Sequence, residues 1–464
     1  MKSVRTRIAP SPTGEDIHIG NLYTALINFA VARKNNGQFI IRIEDTDRTR
    51  YREGAESRIL SSLKSYGLMY DEGPDIKGPY SPYRQSERLS EYKKYALDLI
   101  EKNIAYYCIC TKERLEELKS EQVKNNQRTK YDKYCLINQE EVKRKVGQGS
   151  SYVIRLNVHP DKMILFNDSL RGEISISSNE IDDQVLLKSD GFPTYHLGVV
   201  VDDHLMGITH IIRAEEWISS TPKHVLLYES FGWEMPVFAH LPILRNPDKS
   251  KLSKRKNPVW AAWYLEEGYL PEAVLNYLAL MGWSHPEGIE FFTLEEFINV
   301  FDLKRVNVVG PVFDIKKLSW MNQQYIQNMK DEELVERIVT FYPDDNLDKV
   351  LLMKLVPLLK TRMETLKEFK DLTTFFFQVP DSTPRSDKER EVVLDLIQAL
   401  ETVPTWSEQD IFLAFKTLLE KHSLRMPVLY YLLTGKEKGL PLPKTIEIMG
   451  KEETLRRLKT LKSA

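Results

Sequence analysis

His18-Ile19-Gly20-Asn21 lies between an apolar run and a helical one. A helix N-terminus presents unsatisfied backbone N–H groups and the positive end of the helix dipole, so this tetrad is a candidate phosphate cradle. Read alone, a histidine before a helix is usually a cap or a packed side chain. Neither GxGxxG nor a Walker lysine motif accompanies it, which weakens dinucleotide and P-loop readings. A second candidate is Arg245-Asn246-Pro247-Asp248-Lys249-Ser250-Lys251-Leu252-Ser253-Lys254-Arg255-Lys256, with six basic residues against one acidic. Read alone, it is a solvated surface loop or a localisation-like patch.

These residues need a frame. Val4 to Pro10 reads as a short strand, Ser11-Pro12-Thr13-Gly14 as a turn, and Gly20 to Lys34 as a helix with Leu22, Ala25, Leu26 and Phe29 on one face. Asn35-Asn36-Gly37 ends the helix and Phe39 to Ile43 is a second strand. Strand, helix and strand in so few residues favour a right-handed parallel unit. Ligands bind beyond the carboxyl ends of such strands, so the Pro10 to Gly20 loop and Glu44-Asp45-Thr46-Asp47 should border one crevice. The pattern resumes at Gly207 to Arg213, an apolar strand, followed by a helix with Thr221 as cap, Pro222 at its first position and Gly232 after its end. The sheet is therefore split in sequence, and Pro82 to Lys188 reads as an insertion forming a separate lobe. After Gly310 only Gly435, Gly439 and Gly450 remain. Helical runs at Asp331 to Phe341, Leu347 to Phe369, Asp387 to Leu400 and Ser407 to His422 predict an all-helical C-terminal third, with Ser407 and Asp410 forming a cap.

Composition agrees with a multi-domain globular protein: 464 residues at 42% hydrophobic content exceed one ordinary core. The 65 Lys and Arg against 67 Asp and Glu announce no polyanion partner in bulk, so any RNA contact must come from local patches. No run approaches the roughly 18 apolar residues of a membrane span, and Met1 to Arg7 lacks the pattern of a signal peptide. Three cysteines, Cys108, Cys110 and Cys135, make no disulfide framework and suit a reducing compartment, so the cytoplasm is expected.

Lys251-Leu252-Ser253-Lys254-Arg255 and the His18 tetrad together resemble the two signatures of class I aminoacyl-tRNA synthetases. Further blocks narrow the likeness: Arg7-Ile8-Ala9-Pro10-Ser11-Pro12-Thr13-Gly14, Arg42-Ile43-Glu44-Asp45-Thr46-Asp47, Tyr195-His196, Val201-Asp202-Asp203-His204-Leu205-Met206-Gly207, Arg213-Ala214-Glu215-Glu216-Trp217 and Gly310-Pro311-Val312-Phe313-Asp314. In this order they resemble the glutamyl-tRNA synthetase family over essentially the whole chain, most specifically in its first two-thirds. The resemblance implies an α/β fold: a class I Rossmann-like parallel sheet with an inserted α/β lobe, then an all-α anticodon-binding region. The implied domains are 1–81 with 189–244 for catalysis, 82–188 for the tRNA acceptor stem, 245–325 for the lysine loop and stem contacts, and 326–464 for the anticodon.

The same resemblance implies ATP-dependent ligation of L-glutamate to tRNA-Glu through a glutamyl-adenylate, with magnesium, in a monomer that binds neither DNA nor membrane. His18, Gly20, Lys251 and Lys254 would be catalytic. Arg7, Ala9, Ser11, Glu44, Tyr195, Val199 and Arg213 would hold glutamate, whose two carboxylates and one ammonium call for guanidinium groups and a carboxylate in one pocket. His18, Gly20, Glu215, Trp217, Leu244 and Lys254 would border ATP. A mobile lysine charge suits a transition state in which negative charge builds on pyrophosphate.

Cys108, Cys110, Tyr131 and Cys135 resemble the zinc knuckle of some members, and three thiolates with a phenolate would complete four ligands around one structural Zn2+. Tyrosine is an unusual ligand, and three small semi-buried thiols are the alternative. Many members carry a histidine where this chain has Ile137. Other departures are Asn21 in place of a second histidine, one extra residue between Gly14 and His18, and Val199 where the family usually has asparagine.

Overall fold

Arg5–Ile8 forms β1, four buried residues in succession, as expected of a parallel strand covered on both faces. Gln38–Ile41 (β2) runs parallel to it, in register from Arg5 opposite Gln38 to Ile8 opposite Ile41. The crossover is the helix Ile19–Lys34, which ends on Arg33 and Lys34 in its last turn, where cations complement the dipole. Its expected face is buried, but so are Tyr23, Ile27, Asn28 and Val31 on the other sides. The helix Leu294–Val300 covers it from outside, which explains why it is not amphipathic. The described residues of this computed structural model are 3–253 and 258–462.

The segment between the sheet halves carries β3 (Ala105–Cys108), β4 (Val153–Leu156), β5 (Met163–Asp168), β6 (Gly172–Ser177) and β7 (Val185–Leu187). β3, β4 and β7 form an antiparallel sheet of their own. The β5–β6 hairpin does not. With β8 (His210–Ala214) and β9 (Val237–Leu241) it makes a sheet of order β6-β5-β9-β8, in which β5 and β8 both run parallel to β9. The expectation of a wholly separate inserted lobe is therefore corrected. The alternation in Met163–Asp168 turns Ile164, Phe166 and Asp168 inward, and Phe166 packs edge-on against Phe238 with ring centroids 6.0 Å apart. The Thr209 N–H donates to the Arg5 carbonyl at 3.0 Å, placing β1 beside β8. The helix after β8 spans Thr221–Phe231 and ends on Gly232 at φ 67°, a conformation that favours glycine. Thr221 is not its cap: Ser220 precedes the helix, and the Thr221 hydroxyl turns toward Arg213.

The chain divides into two units, Met1–Trp263 with Leu275–Asp314, and Tyr264–Val274 with Ile315–Ala464. Between 315 and 462 every element among the described residues is a helix. Asp331–Phe341, Asp387–Glu401 and Glu408–His422 match expectation, and the Asp410 N–H donates to Ser407 Oγ at 3.3 Å. Leu347 to Phe369 is not one helix. Lys349–Leu359 stops, Met363 and Leu366 turn into the core, and Glu368–Phe377 begins anew. The bend is held by Asn322 Nδ2 donating to the Glu364 carbonyl (2.6 Å) and the Leu366 N–H donating to the Gly268 carbonyl (2.9 Å). Among the described residues no helix is long and apolar enough to cross a membrane.

Candidate active site

Beyond the carboxyl ends of β1, β2 and β8 opens a cavity of about 680 Å³ lined by Arg7, Ala9, Ser11, Glu44, Tyr195, Arg213 and Trp217. That volume suits a small-molecule site. Arg7 and Arg213 come from β1 and β8, Glu44 follows β2, and Tyr195 begins the helix Tyr195–Leu205. Tyr195 and Trp217 pack ring against ring at 4.2 Å.

A buried charge network underlies the cavity. Arg7 donates to both oxygens of Asp203 at 3.1 Å, and Arg42, fully buried, donates to Asp203 at 2.7 Å and Glu44 at 3.1 Å and lies 3.5 Å from Asp202. Arg88 closes on Asp202 at 2.7 Å. Burial acts to raise the Asp203 carboxyl, but Arg7 and Arg42 together hold it below the usual range. For Glu44, burial wins over Arg42 and Arg7 and the carboxyl is pushed up.

Arg213 is held differently. Its Nε donates to His240 Nε2 (3.2 Å), one terminal nitrogen to Tyr195 Oη (3.1 Å) and His224 Nδ1 (3.2 Å), and the other to Thr221 Oγ1 (2.8 Å). Among the described residues no carboxylate pairs with it. The surrounding histidines stay neutral: burial, then Lys223 and Arg213, take His196 down to about 3, while burial and Arg213 hold His224 well below its usual value. A cation buried among neutral acceptors faces the cleft with its charge uncompensated.

A second cavity, about 260 Å³, continues from the first through their shared lining of Asn21, Thr24, Ala214 and Glu216. It brings together His18, Gly20, Leu244 and Lys251. His18 caps the helix, its Nδ1 accepting the Gly20 N–H at 3.0 Å, and its ring meets Trp260 edge-on. Lys251 pairs with Glu216 at the surface. Lys254 lies outside the described residues.

Two expected residues are not brought into these cavities. Glu215 is held by Arg171 at 2.7 Å and Arg245 at 3.4 Å and lines neither cavity. Val199, 1% exposed, is packed in the hydrophobic core one turn after Tyr195 and lines neither. Trp217 lines the larger cavity beside Tyr195 rather than the smaller one. Sequence reasoning missed roles for Arg42, Asp202, Asp203, His224, His240 and Asp168. Charges inside apolar runs, as in Val201-Asp202-Asp203, were the available signal.

Cys108, Cys110 and Cys135 place their sulfurs within 4.8 Å of one another. A tetrahedral zinc with sulfurs ~2.3 Å away would space them roughly 3.8 Å apart, so the set fits such an ion. Tyr131 Oη lies 3.2 Å from Cys110 Sγ and 3.5 Å from Cys108 Sγ. Arg114 donates to Cys110 Sγ at 3.4 Å and Arg155 stacks over the Tyr131 ring, offsetting thiolate charge. Hydrogen bonding with Cys135, and with Tyr131 against burial, draws the Cys108 thiol down to about 4. Ile137, 79% exposed, points away as a ligand cannot.

A split parallel sheet with a histidine-capped helix beside the cleft, a basic loop, an arginine-lined pocket and a helical C-terminal region defines a class I aminoacyl-tRNA synthetase. The family described as tRNA synthetases class I (E and Q), catalytic domain, matches residues 3–320, and an anticodon binding domain matches residues 333–462. Glutamate–tRNA ligases of Cellvibrio japonicus and Fusobacterium nucleatum are each 46% identical over 99% of this chain, and 93% and 97% of their own. A crystal structure of a glutamate tRNA ligase from Elizabethkingia meningosepticum in complex with its amino acid is 36% identical, covers 100% of both chains and gives a TM-score of 0.85. The chain belongs to the glutamate–tRNA ligase family.

Proposed function

We propose that the protein ligates L-glutamate to the 3′ end of tRNA-Glu, using ATP as its magnesium complex and releasing AMP and pyrophosphate. The observation that carries this reading is Arg213, a buried guanidinium with only neutral partners among the described residues, on a cleft that runs on to the His18 helix start. Arg7 keeps its Nη1/Nη2 edge open beside Asp203, and Arg213 adds its charge and the one N–H its neighbours leave, a set that suits glutamate's carboxylates and that the neutral amide of glutamine cannot match. Glu44, whose carboxyl burial has pushed up, gains a partner in the substrate ammonium. Ala9 and Ser11 shape the rim and Tyr195 holds Arg213 in place.

In this reading a glutamate carboxylate oxygen attacks the α-phosphorus of ATP, the bond to pyrophosphate breaks, and glutamyl-adenylate forms. His18, the N–H groups near Gly20, and the loop lysines Lys251 and Lys254 stabilise the phosphates. The 2′-hydroxyl of the terminal tRNA ribose then takes the glutamyl group and AMP leaves. Positioning and charge stabilisation suffice, without a side-chain nucleophile. We assign 82–188 to the acceptor stem, 245–325 to stem contacts and 326–464 to the anticodon. The cysteine set with Tyr131 would hold a structural zinc, whose four closed ligands leave no position for a reacting water. The protein is proposed to work as a cytoplasmic monomer.

Charging purified tRNA-Glu and tRNA-Gln transcripts with radiolabelled glutamate tests the reading. Acceptance by tRNA-Glu is expected. No glutamate transfer to either transcript would overturn it.

A further inference from the structure

Asp168 and His240 are both completely buried, and Asp168 Oδ2 lies 2.6 Å from His240 Nδ1. The same carboxylate accepts three backbone N–H groups: those of Leu170 (2.9 Å) and Arg171 (3.1 Å) on Oδ1, and that of His240 (3.0 Å) on Oδ2. Surrounded by donors, Asp168 is an acceptor, so the imidazole proton sits on Nδ1 and the Nε2 lone pair meets the Nε–H of Arg213 at 3.2 Å. The aspartate thus lies one imidazole away from the guanidinium. It orients Arg213 without neutralising it, whereas a carboxylate in direct contact would cancel the charge that a substrate carboxylate needs. The other side is built alike: His224 Nδ1 accepts from Arg213, so its Nε2–H donates to His196 Nδ1 at 3.1 Å.

We propose that Asp168 and His240 are positioning residues that hold Arg213 toward the cleft as a cation with no carboxylate partner among the described residues, and so set the preference for an anionic over an amide side chain. This rests on the reading that Arg213 meets the substrate carboxylate. It also gives the β5–β6 hairpin a role, because the hairpin's last β5 residue, opposite Phe238 of β9, supplies the aspartate. Burial keeps His240 neutral even against the pull of Asp168.

The test uses the full chain with tRNA-Glu and reads pyrophosphate exchange with glutamate and with glutamine. In Asp168→Asn, an amide that keeps its oxygen toward Leu170 and Arg171 turns its NH2 toward Nδ1. The imidazole proton then moves to Nε2, where it opposes the guanidinium, a tautomer reversal that is costly where a histidine must accept. We expect KM for glutamate to rise roughly tenfold or more, the scale of one hydrogen bond, with the glutamate-to-glutamine ratio of kcat/KM falling in proportion and KM for ATP unmoved. His240→Ala should do the same, and His240→Gln, whose side-chain oxygen can accept from Arg213, should recover part of the loss. A merely structural pair would lower thermal stability while leaving the ratio at the wild-type value and the Gln and Ala variants alike, which would overturn the proposal. Should Asp168→Asn not fold, the two His240 variants decide alone. Arg213→Ala separates the layers: if it keeps wild-type discrimination, the site reading fails and this proposal with it. If it loses discrimination while Asp168→Asn and His240→Ala keep it, only the proposal fails.

Discussion

The guanidinium of Arg7 and the carboxylate of Asp203 meet through two hydrogen bonds of 3.1 Å across 196 residues of sequence. Asp203 also receives Arg42, so one carboxylate anchors two cations beneath the cleft. Asp203→Asn would leave Arg7 without its carboxylate and Arg42 with only Glu44 and Asp202, and removing one partner of a buried pair typically costs about 3–5 kcal/mol. The expected result is a large fall in the urea midpoint of the unit that contains it; a change below about 1 kcal/mol would show the network to be dispensable.

Three neutral histidines around Arg213 predict a pH dependence of stability. His196, His224 and His240 all titrate below their ordinary range, first because they are buried and then because of Arg213, joined by Lys223 at His196 and His224, with Asp168 opposing at His240. A base whose folded pKa is depressed contributes stability that is present above its unfolded value, near 6.5, and is lost as pH falls below it, because only the unfolded chain takes the proton. Each contributes a slope of up to about 1.4 kcal/mol per pH unit. Unfolding followed between about pH 7 and pH 5 should show stability declining with acid, and His224→Gln should flatten the decline. A flat profile in the wild type would contradict the neutral assignment.

Val199, expected from the resemblance to face glutamate, is packed in the core at 1% exposure. Val199→Asn should therefore bury an amide with few partners and destabilise by about 1–3 kcal/mol, with KM for glutamate within about twofold of wild type. A tenfold lower KM would instead mean that an asparagine here reaches the substrate.

The cysteine set predicts one zinc per chain in protein purified without added metal. Cys135→Ser should lose the ion and lower the melting temperature, while glutamate-dependent exchange stays largely intact because none of the set lines the cleft. Absence of metal from a stable, fully active wild type would refute the reading.

Much of this was legible in the sequence because charge interrupts apolar runs where parallel strands end. Glu44 and the Pro10 to Gly20 loop could be placed at one crevice from strand order, and His18 from the helix it starts, whereas Arg7 and Arg213 were placed there only by the family resemblance. Asp168 was hidden although it ends an alternating strand, because nothing local says that β5 pairs with β9 rather than staying within an inserted lobe. The break after Leu359 was equally hidden. It depends on Asn322 and on the Gly268 carbonyl, distant groups that capture backbone a continuous helix would have used. Glu215 stands in a recognised block, and its ion pairs with Arg171 and Arg245 come from distant segments that the sequence does not join.

Arg213 carries the account, so the decisive measurement is pyrophosphate exchange by Arg213→Ala beside the wild type, with tRNA-Glu present and glutamate or glutamine supplied. Loss of a guanidinium that binds the substrate carboxylate in a buried pocket costs on the order of 3 kcal/mol or more, roughly a hundredfold in kcat/KM. That loss is expected for glutamate, with glutamine poorly used by either protein. Wild-type exchange and unchanged discrimination in Arg213→Ala would contradict it.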